Sequence, residues 1–205
     1  MNEVGIMNLY KMVIDIELRN FKKYVTLLDE VGVNEINELT KRYNNVSEDD
    51  DIWRTIISEE IFQLETQFPN IIRKSLFLSI HAYVESELLK YCSFIQTEYE
   101  AVFSVSDLKY GIVKRVKLYL EKVGRFDFHN LNNIFNEYSK YYSIRNAFSH
   151  TNAADDELDK KQINAIKELD NIEIINNNVV INNKFIFNYL DMLNKLFELL
   201  YETDK

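Results

Sequence analysis

Ile144-Arg145-Asn146-Ala147-Phe148-Ser149-His150-Thr151-Asn152 closes a tyrosine-rich run of helical periodicity, and the rest of the chain reads as its scaffold. Projected at about 100° per residue, Leu131, Ile134, Phe135, Tyr138, Tyr141, Tyr142 and Phe148 fall on one broad apolar arc of a helix over 131–150. Arg145 lies inside that arc. A guanidinium among buried aromatic rings is costly unless paired, so Arg145 calls for an anionic partner from the protein or from a ligand. Asn146 and His150, four residues apart, share one edge of the arc. Arg145 and His150 are about 140° apart on a regular helix. One rigid helix therefore cannot aim both at a single atom. Either the helix distorts near Ser149, or two copies of the motif meet about a two-fold axis. A plainer reading stands beside these: a salt-bridged arginine, and a histidine favourably placed at the negative end of a helix dipole.

The length, 205 residues, suits one domain over 1–205. With one proline and four glycines, turns are few and helices run long, which predicts an all-α protein. The single cysteine, Cys92, excludes an internal disulfide and suits a reducing, cytoplasmic setting; on its apolar helix it reads as a core filler. Asn8, Lys11 and Asp15 interrupt any signal-peptide-like apolar run at the amino terminus, and no stretch reaches the ~20 apolar residues of a membrane span. A net charge of −9 argues against non-specific coating of nucleic acid. Locally the sign reverses. Lys109, Lys114, Arg115, Lys117, Lys122 and Arg125 stand against Glu121 alone, and Lys114, Arg115 and Lys117 are candidates for guiding an RNA backbone. A solvated helix face is the commoner explanation of such a run. His81, His129 and His150 are unclustered, so no metal site is expected, and phosphate-loop and nucleotide fingerprints are absent from the sequence.

Along the chain, Tyr10, Ile14, Leu18, Phe21, Val25 and Leu28 mark a first helix ending near Gly32, with a shorter helix over about 35–43. Trp53, Ile57, Ile61 and Leu64 mark another, expected to stop at Phe68-Pro69 because the residue before proline is pushed out of helical geometry. The longest helix follows, over about 70–99. Its stripe is Phe77, Ile80, Val84, Leu88, Tyr91 and Ile95, with Leu78, Leu89 and Cys92 widening the arc. His81 and Glu85 sit within that arc, four apart. Glu85 is expected either to hold Arg145 or to form a core pair with His81. Ser106 or Asp107 is expected to cap the basic helix that ends at Gly124, and residues 125–130, with an exposed His129, form a connector. After a polar loop over 151–156 and a short helix to about Leu169, two β-prone pieces over 172–175 and 179–181 suggest a small hairpin before the last helix.

The Arg145-Asn146 pair, the aromatic Phe148 and His150 at a helix end resemble the R-x(4–6)-H motif of the HEPN superfamily. The inward acid on a long helix about sixty residues upstream, in Tyr83-Val84-Glu85-Ser86-Glu87-Leu88, is similar to that superfamily's earlier helix. The resemblance implies a HEPN-like helical bundle whose catalytic members are metal-independent ribonucleases of toxin or antiviral defence systems, completed at a homodimer interface. It implies Arg145 as phosphate binder, His150 as general acid or base, Asn146 as an orienting amide, and supporting roles for Glu85, His81 and Ser149. It implies no cofactor. Partners would be RNA, a second copy, and an antitoxin or defence-complex subunit. In superfamily members paired with a nucleotidyltransferase antitoxin, a tyrosine stands two residues after the histidine; here that residue is Asn152, which speaks against that form of control. The competing expectation is a non-catalytic nucleotide- or RNA-binding domain, or an interaction subunit using its tyrosine-rich face.

Overall fold

The computed structural model describes residues 3–150 and 158–203, without the side chains of residues 3–8, Asn130, His150 and Thr203. The helices are α1 (Glu3–Asn45), α2 (Asp51–Phe62), α3 (Phe68–Glu98), α4 (Ile112–Lys122), α5 (Phe128–His150), α6 (Lys160–Glu168) and α7 (Asn183–Thr203). A hairpin of β1 (Ile172–Ile175) and β2 (Asn178–Ile181) separates α6 from α7. The chain is all-α with a small β excursion, as its glycine- and proline-poor sequence predicts.

Helix α3 lies at the centre of the bundle, touching α1, α4, α5 and α7. Its expected stripe is buried in full, Phe77, Ile80, Val84, Leu88, Tyr91 and Ile95 among it. Helix α5 buries Leu131, Ile134, Phe135, Tyr138, Tyr141 and Ile144 against the same core, and α7 adds Tyr189, Leu193, Leu196, Phe197 and Leu200. α3 and α7 thus form a layer with α1 on one side and α5 on the other.

The structure corrects five sequence expectations. The central helix α3, of 31 residues, is not the longest; α1, of 43, is. Gly32 does not end α1, which runs unbroken to Asn45. A glycine inside a helix costs only about 1 kcal/mol, and Gly32 lacks the positive φ of a left-handed cap. Phe68-Pro69 does not stop the chain either. Phe68 is helical (φ −60°, ψ −41°), and its N–H reaches back five residues to the Gln63 carbonyl across a π-helical turn, Gln63–Gln67. That wide turn restarts the helix so that Pro69 falls at its first positions, where a missing N–H is tolerated. Neither Ser106 nor Asp107 caps α4. Asp107 closes a capping box with Ser104 around a single 3₁₀ turn, while Gly111 opens α4. His129 is exposed but lies in the first turn of α5, where its N–H donates to Asp127 Oδ1 at 2.9 Å.

The hairpin turns on Asn176 (φ 48°) and Asn177 (φ 64°), both left-handed, as a two-residue primed turn requires. Asn70 of α3 substitutes for a third strand. Its Nδ2 donates to the Val179 carbonyl at 3.4 Å and its Oδ1 accepts from the Ile181 N–H at 3.3 Å. The loop expected over 151–156, Asn152 within it, lies outside the described residues.

Candidate active site around Arg145

The motif helix continues as α-helix through His150, so no distortion at Ser149 brings positions 145 and 150 onto one face. The side chain of His150 lies outside the described residues. Arg145 is half-buried, with 29% of its side chain exposed. Its Nη1 donates to Asn146 Oδ1 at 3.1 Å, and its Nη2 lies 3.7 Å from Glu85 Oε2. The anionic partner demanded by a half-buried guanidinium therefore comes from α3.

Glu85 serves both expected partners, one with each oxygen: Oε1 lies 3.6 Å from His81 Nε2. Burial raises the Glu85 carboxyl above its usual range, while the charges of Arg145 and then Arg115 pull it down. The folded state thus holds this proton to higher pH than the unfolded chain does, and stability contributed here falls as pH rises through that window. We expect Arg145→Ala to raise the Glu85 pKa further, because burial remains and the larger attraction is gone. Carbon-detected NMR titration of the carboxyl would read this; an unchanged or lower value would break the proposed pairing.

His81 is fully buried. Its Nδ1 lies 2.6 Å from the Tyr189 hydroxyl and its Nε2 3.5 Å from that of Tyr138, whose ring it parallels within 16°. Burial first, and the Arg145 charge second, lower its pKa to about 3. The imidazole is therefore neutral near neutral pH. Burial holds the phenols of Tyr138 and Tyr189 far above their usual range, so both keep their protons. The consistent arrangement has the Tyr189 hydroxyl donating to Nδ1, and Nε2–H facing Glu85. His81 supports Glu85 from beneath and does not face solvent.

Beside Asn146 opens a cleft of about 520 Å³ between α4, α5 and the start of α6. Asn146, Tyr142 and Ser143 form its α5 wall, with Lys114 and Lys117 opposite and Lys161 at its rim. Asp159, the one carboxylate lining it, accepts from the Lys161 and Gln162 N–H groups as the cap of α6. Three ammonium groups against one committed carboxylate make the cleft electropositive in a chain of net charge −9. Of the three basic residues expected to act together, Lys114 and Lys117 line the cleft and Arg115 does not. Arg115 is half-buried and acts electrostatically on Glu85 and on Cys92, both of α3. Its Nε makes no hydrogen bond among the described residues. Ser149 is exposed in the last turn of α5, and Phe148 packs edge-on against Phe77 at 5.8 Å.

No family model, curated protein or solved structure matches the chain. What the site can do is therefore argued from its own residues. It offers a held guanidinium, an amide on a cleft wall and three ammonium groups, a set suited to a phosphodiester. Among the described residues no three His, Cys, Asp or Glu side chains gather as metal ligands would. Burial pushes the Cys92 thiol up to about 12, which leaves it unreactive. Sequence reading missed Tyr189, Lys161 and the inward turn of Arg115. Tyr138 and Tyr142 carried a signal, since both fell on the arc of the motif helix.

Proposed function

We propose that this chain is a cytoplasmic, metal-independent endoribonuclease of the HEPN type, acting in a toxin or phage-defence setting as a homodimer. One observation carries the reading: Arg145 is held by Glu85 and by Asn146, which itself lines a lysine-bearing cleft, on the helix that ends in His150. The cleft takes the RNA backbone, and Lys114, Lys117 and Lys161 neutralise its phosphates. Arg145 binds the scissile phosphate and stabilises charge developing on its non-bridging oxygens. The 2′-hydroxyl attacks the adjacent phosphorus, and the 5′-oxygen leaves. His150 of the second copy takes the proton from the 2′-oxygen, and water supplies one to the leaving 5′-oxygen. The products are a 2′,3′-cyclic phosphate and a 5′-hydroxyl. DNA, lacking the nucleophile, is bound without being cut. The helical run through His150 supports completion by a second copy, since positions 145 and 150 face about 140° apart.

Glu85 is a positioning residue in this scheme. We expect Glu85→Gln to keep the fold and lower kcat more than it changes KM; unaltered cleavage would remove that role. Lys114→Ala combined with Lys117→Ala is expected to weaken RNA binding across sequences and to reduce the slope of log affinity against log salt by about one per lysine removed. Fluorescence anisotropy at several salt concentrations measures it, and an unchanged slope would place the RNA elsewhere. A binding-only reading is favoured if the well-folded chain holds RNA in the cleft and never releases cut ends.

A further inference from the structure

The exposed face of α1 is as apolar as its buried one. Ile14, Leu18 and Val25 point into the core. Roughly 140° around the helix from them, Leu9, Val13, Ile16, Tyr24, Leu27 and Val31 are each 41–57% exposed. These six stand eleven, seven and four residues on either side of Asn20. The spacing is a palindrome. We propose that this face pairs with the same face of a second copy of the chain, antiparallel, about a two-fold axis at Asn20.

An isologous contact needs a surface that is complementary to itself when reversed. Reversal about Asn20 sets Leu9 against Val31, Val13 against Leu27 and Ile16 against Tyr24, with each apolar residue meeting an apolar one. An unrelated partner would require an apolar stripe but no such symmetry. Positions 9, 20 and 31 recur every eleven residues, a period near that of an unstrained helix, so two nearly straight helices stay in contact along the stripe. It is about 33 Å long. With Tyr10, Met12 and Leu28 at its flanks, each 40–52% exposed, the face offers on the order of the ~800 Å² per partner that a stable interface buries. Asn20 at the centre, its Nδ2 donating to Glu17 Oε2 at 2.9 Å, is the polar residue that would fix the register. The α3 and α7 layer separates this face from α5, so the pairing is a second interface, distinct from the α5-end contact that completes the proposed site, and a chain using both assembles beyond a dimer.

The test is the mass of the full chain in solution and the geometry of the pair. Val13→Glu with Leu27→Glu should halve the mass seen by sedimentation equilibrium while helical circular dichroism is kept. Asn20→Cys should form a disulfide-linked dimer under mild oxidation, because its copies face each other across the axis. Thr26→Cys, exposed but off the stripe, should not, its copies being about 18 Å apart along the helices. Cys92 is buried and stays out of the exchange. A monomeric parent chain hands the face to a different partner and overturns the proposal. So does a mass untouched by the glutamates, or equal cross-linking at 20 and 26. If the glutamate variant does not fold, the cysteine comparison decides. None of these substitutions touches the cleft, so a failure here is read separately from a failure to cut RNA.

Discussion

On the ribonuclease reading, Arg145→Ala lowers single-turnover cleavage of RNA by about 10²–10³-fold, the loss usual for removing one donor to developing charge. Arg145→Lys restores little of it. An ammonium can supply charge but cannot bond Asn146 Oδ1, approach Glu85 Oε2 and still present a planar pair of donors to phosphate. Stability changes far less than activity. Arg145 is partly exposed, and a Glu85 carboxyl released from it takes up a proton more readily, so the orphaned charge disappears near its own pKa. Thermal melts of the two variants should lie within a few degrees of the parent, while product formation separates them. Equal loss of fold and activity would reduce Arg145 to a structural ion-pair partner.

The second large effect concerns His81. We expect His81→Ala to cost about 3–5 kcal/mol, since it opens a cavity among Phe77, Tyr138 and Tyr189 and strips the Tyr189 hydroxyl of its partner. Acid should destabilise the parent through the same group. The unfolded chain protonates this imidazole below about 6.5, whereas the folded one stays neutral down to about 3. Stability from it is complete above the upper value and is lost as pH falls, by about 1.4 kcal/mol per pH unit inside the window. Glu85 acts in the opposite sense, its raised pKa favouring the fold as the carboxyl takes its proton. The histidine alone therefore makes the unfolding free energy from urea titration about 2 kcal/mol smaller at pH 5 than at pH 7, Glu85 offsets part of that, and His81→Gln should remove the histidine's share. The same pH dependence in the parent and in His81→Gln would contradict the buried, neutral histidine.

How much of this the sequence discloses depends on whether the deciding interaction is local. Apolar spacing of three and four is enforced within one helix, so the stripes of α3 and α5 are legible, as is the inward acid at Glu85. The need of Arg145 for an anion follows from burial cost alone, and the partner was found among two alternatives that proved to coexist. Gly32 and Pro69 do not end their helices because one glycine costs a helix only about 1 kcal/mol, and because a π-turn can absorb a proline. The contact of Tyr189 with His81 joins residues 108 apart, and no spacing rule encodes it. The outward stripe of α1 escaped for a different reason: the spacing of Ile14, Leu18 and Val25 already marks the face that the core buries, and the exposed Leu9, Val13, Ile16, Tyr24, Leu27 and Val31 play no part in that packing. Which lysines of α4 meet the cleft depends on how α4 rolls against α3 and α5, with Ile112, Val113, Val116, Tyr119 and Leu120 buried.

The most direct measurement incubates the purified chain, and its His150→Ala variant, with structured RNA in excess EDTA and identifies the product ends. The account predicts chelator-resistant cutting to 2′,3′-cyclic phosphate and 5′-hydroxyl ends by the parent alone. Intact RNA with the folded parent, or equal cutting by the variant, would contradict it.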